Sequence, residues 1–202
     1  MREVTGMSRP DTTADLAQRL ERHMDPHNDP RIYWAKEVTF DYATDHSVRV
    51  DYMRFQPVSN TVSGIEKGDF FCYEIKSSVE DFHSKNGHNF IGDFNYYIMP
   101  EAVFEAVERE IPYKVGVFTP NQSDGLTSVK PARRKDRNKP VSEILLMMWR
   151  SSRRESVKSR RAQGKANQKG AERCANIECP YQRNEKCPAA DGCDGFMEME
   201  KS

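Results

Sequence analysis

Along residues 11–24, DTTADLAQRLERHM, apolar side chains recur at Leu16, Leu20 and Met24, one per helical turn, with polar residues between them. That spacing, with Asp or Thr available as a cap, predicts a short amphipathic helix that stops before the turn-rich DPHNDP of residues 25–30. The pattern then changes period. Tyr33–Phe40 and Ser47–Phe55 read as two strands joined by the polar turn DYATDH, and residues 56–69 are dominated by turn formers. In FFCYEIK, residues 70–76, apolar positions are consecutive rather than alternating, the pattern of a central strand covered on both faces. Ser77 followed three residues later by Glu80 is a capping-box signature and predicts a helix to about Lys85. Asn95–Met99 reads as a strand, Pro100–Glu110 as a helix with Val103, Phe104 and Val107 on one side, and Tyr113–Phe118 as a fifth strand. The order α-β-β-β-α-β-α-β predicts an α/β core with a mixed central sheet flanked by helices.

After Pro120 the chain is polar, prolyl and basic, which predicts a linker over the surface. Val141–Arg161 returns as a helix. Its Val141, Ile144, Leu145 and Met148, with Trp149 at an adjoining position, are spaced to dock on the body, and Arg150 onward forms a charged rod. AQGKANQKG, residues 162–170, reads as a flexible link. A chain of 202 residues accommodates one ordinary core and an appendage. The expected organisation is a core over residues 1–120, a basic linker and helix over 121–173, and a cysteine-rich tail over 174–202. With no run of about 18 apolar residues and no signal peptide, the chain reads as soluble, cytoplasmic and without a membrane partner.

Charge and cysteine placement change this picture. Lys plus Arg and Asp plus Glu both number 31, so the net charge is zero. Residues 130–173, however, hold 15 Lys or Arg against 4 Asp or Glu, an excess of +11 that leaves −11 on the rest. A basic arm on an acidic body is a nucleic-acid-binding pattern, because phosphate contacts release counterions without reading sequence. The candidate contacts are Arg133, Arg134, Lys135, Arg150, Arg153, Arg154, Lys158, Arg160 and Arg161. A solvated linker and helix face is the blander reading of the same charges. Of five cysteines, Cys174, Cys179, Cys187 and Cys193 lie close together, separated by four, seven and five residues. Four thiolates in so short a span predict a tetrahedral structural Zn²⁺ knuckle in a reducing compartment, with an iron-sulfur cluster as the alternative. Cys72 reads as a small buried hydrophobe.

The candidate chemistry lies in FFCYEIK. Residues two apart on a strand share a face, so Glu74 and Lys76 point the same way, with Cys72 behind them. If the strand containing Asp51 pairs alongside, Asp51 and Glu74 supply two hard oxygen ligands for Mg²⁺ or Mn²⁺ and leave positions for water and phosphate. Lys76 would then orient or deprotonate the water and touch the phosphate. On a solvated strand, Glu-x-Lys is an ion pair worth under about 1 kcal/mol. Here it ends a strand that is otherwise apolar, where charges need a role.

RVDY (49–52), CYEIKSSVEDF (72–82), GDFNYYIMPEAVF (92–104) and KVGVFTP (114–120) resemble the PD-(D/E)XK nuclease superfamily, and within it the MmcB-like DNA-repair-related proteins. The resemblance covers about residues 31–120. It implies a restriction-endonuclease-like core and metal-dependent hydrolysis of DNA phosphodiesters. It also implies that Asp51 is the first acidic ligand, Glu74 the second and Lys76 the motif lysine. Glu37 matches an additional upstream acidic residue, with Glu21 on the first helix as its competitor. Lys85, His83 and His88 are the remaining polar residues after the lysine and stay outside the catalytic set. The rival expectation is a catalytically inactive module of the same fold that binds nucleic acid or protein. A homo-oligomer is compatible with either.

Overall fold

The computed structural model describes residues 9–27, 29 and 32–172. Helix α1 (Arg9–Met24) precedes the hairpin β1 (Tyr33–Phe40) and β2 (Val48–Gln56), then a short helix α2 (Val62–Glu66). β3 (Asp69–Ile75), α3 (Val79–Phe82), β4 (Phe94–Ile98) and α4 (Glu101–Val107) follow, with a single 3-10 turn at Glu108–Glu110. β5 (Val115–Pro120), β6 (Leu126–Lys130) and α5 (Val141–Glu172) complete the order. The six strands among the described residues form one sheet, ordered β1-β2-β3-β4-β5-β6. β3, β4 and β5 are parallel neighbours, joined through α3 and α4, and the remaining pairs are antiparallel. This is the mixed sheet flanked by helices that the sequence pattern predicts.

β3 explains the layering. Its Phe70 and Cys72 enter a cluster with Ala35, Val38, Phe40, Met53 and Phe55, closed by Val141, Ile144 and Met148 of α5. Its Tyr73 and Ile75 face the other way, onto Leu16, Leu20 and Met24 of α1. Each such fully buried side chain contributes roughly 1.5–3 kcal/mol. A third cluster joins Tyr97, Phe82, Val103, Val107 and Val117 around α4. By alternation Glu74 shares the face of Cys72, and its cross-strand neighbour is Tyr97, so it stands where the α5 and α4 clusters meet.

The structure departs from the sequence pattern in several places. Residues 126–130 are not a linker but an edge strand, β6, paired to β5. The basic stretch after it is tied to the body: Arg134 meets Asp69 at 2.7 Å and Asp93 at 3.3 Å, Lys139 meets Glu143 at 2.6 Å, and Arg133 lies 4.7 Å over the Tyr113 ring. Helix α2 arises within the turn-rich connector, capped by Thr61, whose side chain accepts the Gly64 amide. Helix α3 is capped by Ser78 rather than Ser77 and ends at Phe82, short of Lys85. Helix α5 runs through residues 162–170, the expected flexible link, whose Ala, Gln and Lys residues are good helix formers. Trp149 is 72 % exposed and does not join the docking face.

The chain forms two compact units, Met1–Ser152 and Arg153–Ser202, divided within α5. In the second, Glu155 pairs with Lys158 at 2.7 Å, and Arg153, Arg154, Lys158, Arg160 and Arg161 are exposed. Among the described residues no helix is long and apolar enough to cross a membrane.

Candidate metal centre

The β2–β3 ladder is regular from Gln56↔Asp69 to Tyr52↔Tyr73 and then opens. One step further would place Asp51 against Glu74. Instead of a backbone bond, the Asp51 side chain takes over: its Oδ2 accepts the Ile75 amide at 2.9 Å. β1 is interrupted at the same level, because Lys36↔Tyr52 and Val38↔Val50 are paired while Glu37 between them has φ 58°. That left-handed conformation costs a non-glycine residue roughly 1–2 kcal/mol. Ser151 of α5 braces it, with Oγ 3.0 Å from the Glu37 carbonyl and 2.5 Å from that of Lys36. Continuing the registers puts Glu37, Asp51, Glu74 and Tyr97 in one row across four strands.

The carboxylates in this row differ in environment. Glu74 is fully buried, and the groups that act on its carboxyl are the side chain and amide of Asp51 and the charge of Lys76. It faces Asp51, and burial, followed by that neighbouring charge, pushes its pKa up to about 9. Asp51 is also raised, chiefly by burial, although the Ile75 amide works against the shift. The metal-free pair therefore holds a proton at neutral pH. Glu37 does not converge with them, since its carboxylate lies 2.9 Å from Arg49. Glu21 serves the α1 side, accepting the Tyr52 hydroxyl at 2.7 Å and pairing with Lys36 at 3.2 Å.

Lys76 is 2 % exposed. Its amide still bonds Ile98 of β4 at 2.9 Å, so strand geometry persists to this point and holds its side chain on the Glu74 face. Its ammonium donates to the carbonyls of Asp81 at 3.1 Å and Asn86 at 2.5 Å. The loop between α3 and β4 thus lies over the pair. At Gly87, where φ is +74°, a Cβ would stand 2.8 Å from Lys76 Nζ and 3.1 Å from Glu74 Oε2. Only glycine combines that conformation with that proximity.

The donor set suits a hard divalent cation. Two buried carboxylates facing each other would cost on the order of several kcal/mol per ion if both were charged, which is why the metal-free pair keeps a proton. A cation of opposite charge offsets that cost. Among the described residues no three His, Cys, Asp or Glu side chains converge at metal-ligand spacing. Asp51 and Glu74 would therefore be the two protein carboxylates, with further oxygen positions left for water and phosphate.

The sequence placed Asp51, Glu74 and Lys76 together, and they do converge. It did not place Tyr97 beside Glu74, because parallel pairing of distant strands leaves no local signal. His88, set aside as a lone histidine, bonds the Tyr97 hydroxyl through Nδ1 at 2.5 Å. His83 pairs at the surface with Glu110 at 3.0 Å, and Lys85 is exposed. Among the basic candidates Arg134 is ion-paired and Lys135 donates to the Phe90 carbonyl at 2.7 Å, whereas Arg150 is exposed. Cys174, Cys179, Cys187 and Cys193 lie outside the described residues.

No family model matches the sequence, and no curated protein is similar to it. Among solved structures the fold is similar to that of the SPO1766 protein of unknown function from Silicibacter pomeroyi. That protein is 17 % identical, with a TM-score of 0.50 over 79 % of this chain and 94 % of that one. At this identity the likeness is one of fold.

Proposed function

We propose that this chain is a Mg²⁺- or Mn²⁺-dependent nuclease of the PD-(D/E)XK kind that hydrolyses DNA phosphodiesters. The observation that carries the reading is Glu74: a fully buried carboxyl group facing the Asp51 carboxyl, with buried Lys76 two residues further along the same face.

In this reading Asp51 and Glu74 hold the cation. When bound, it lowers the pKa of a coordinated water and neutralises charge building on the phosphate. The Ile75 amide fixes the Asp51 carboxyl group beside Glu74. Lys76 orients the attacking water and contacts the phosphate once its loop carbonyls are exchanged. Glu37 sits at the rim of the row and would act through water or through Arg49.

The exposed residues Arg150, Arg153, Arg154, Lys158, Arg160 and Arg161 favour nucleic acid as the partner, supplying sequence-independent affinity. The four tail cysteines are proposed to hold a structural Zn²⁺. Colourless protein with one zinc is the expected form, and brown protein with iron and sulfide would indicate the cluster instead. The function is tested by incubating purified protein with labelled single- and double-stranded DNA and RNA, with Mg²⁺, Mn²⁺ or chelator, beside Lys76→Ala. Metal-dependent cleavage lost in the variant supports the reading. Binding without cleavage would replace it by an inactive binding module.

A further inference from the structure

Resting on that reading of Asp51 and Glu74, we propose that Tyr97 and His88 are positioning residues. They latch the 83–89 stretch of the loop over Glu74 and Lys76, so that a cation and a phosphodiester reach the pair only when the loop is released.

The argument begins at the sheet. Tyr97 is fully buried and stands beside Glu74 in the β3–β4 register. Its hydroxyl and His88 Nδ1 are 2.5 Å apart, and the other ring nitrogen of His88 is 3.0 Å from the Ser84 carbonyl. A carbonyl only accepts, so Nε2 carries the hydrogen; in the neutral ring Nδ1 then accepts from Tyr97. One imidazole thus joins a core strand to both limbs of the loop. Phe82 packs edge-on against Tyr97 and His88 at 5.3 and 5.7 Å, and Phe90 against Tyr97 at 5.3 Å.

The latched loop closes the site. Gly87 comes so near that even a methyl group would contact Lys76 Nζ and Glu74 Oε2, and the Asn86 carbonyl takes a donor of Lys76. The loop therefore competes with phosphate for the ammonium. Phe90 and Ile91 anchor the end of the loop in the core, but the hold on residues 83–89 is mostly polar: His83, Lys85, Asn86 and His88 are exposed, and Asn89 reaches the Arg49 carbonyl at 3.1 Å. Bonds of this type exchange for water at small net cost, so the loop opens more readily than the sheet beneath it. Apparent cation affinity is then the intrinsic affinity reduced by the fraction of molecules that are open.

Tyr97→Phe, which keeps the ring and loses the hydroxyl, and His88→Ala both weaken the latch. In the full-length protein each should tighten Mn²⁺ binding by roughly five-fold, the effect of one net hydrogen bond. Each should also speed amide hydrogen exchange in residues 83–89 without changing exchange in β3. A merely structural role would leave Mn²⁺ binding equal or weaker. Mn²⁺ binding that Glu74→Gln abolishes but both latch variants leave unchanged, or unchanged loop exchange, overturns the latch alone. No Mn²⁺ binding in any of the proteins overturns the cation reading and the latch together.

Discussion

Asp51 Oδ2 accepts the backbone amide of Ile75 at 2.9 Å, so a side chain from β2 occupies the place where a β2 carbonyl would have paired. The β2–β3 ladder ends at this bond, and the same carboxyl group interacts with Glu74. Burial disfavours the Asp51 charge, whereas the proposed cation needs it.

Asp51→Asn separates these two effects. An amide oxygen still accepts the Ile75 hydrogen, while the charge facing Glu74 is gone. The metal-free variant is expected to melt at or above the wild-type temperature, yet to gain no stability from Mn²⁺. Asp51→Ala also strands the buried Ile75 amide and should lose about 1–3 kcal/mol, near 2–4 °C per kcal/mol for a chain of this size. Thermal melts with and without Mn²⁺ check both.

Glu74 sets a pH dependence. Its pKa is about 9 in the folded protein against 4.5 for the free side chain, so between those values the folded state binds a proton that the unfolded state lacks. The stabilisation is complete below the unfolded value and is lost as pH rises toward 9. Melting temperatures of metal-free protein should therefore fall from pH 5 to pH 9, on the order of several degrees, with a flatter profile in Glu74→Gln. Cation binding displaces the proton, so Mn²⁺ affinity should rise over the same range.

The division after Ser152 directs a truncation. Removing residues 153–202 keeps β6 and the docking residues Val141, Ile144 and Met148. A cut at residue 130 would remove the helix that closes the first core. The shorter protein is expected to fold, to retain metal binding, and to bind nucleic acid more weakly with a shallower dependence on salt concentration. Binding measured across a salt series decides this, and an unchanged slope would show that the removed segment makes no phosphate contacts.

Much of this architecture was legible because burial leaves a period. β1, β2 and β3 follow from their apolar spacing, and Glu74 and Lys76 stand out because they are charges on a strand apolar at consecutive positions. β6 was not legible: LTSVK is an edge strand with three exposed residues, so its pattern is that of a loop. The basic stretch before α5 read as a linker because its partners, Asp69, Asp93 and Asp41, are remote in sequence. Nor does a local pattern reveal the φ of Glu37 or the Tyr97–His88 bond. Each depends on which strands become neighbours, and that is decided by packing of the whole sheet.

The central claim is that Asp51 and Glu74 hold a divalent cation, and anomalous scattering from a crystal of the full-length protein soaked in Mn²⁺ tests it most directly. The expected result is one anomalous peak between the two carboxylates, about 2.0–2.3 Å from an oxygen of each, and absent in Glu74→Gln. A fully soaked crystal with no peak at this pair, or a peak that persists in Glu74→Gln, would contradict the claim.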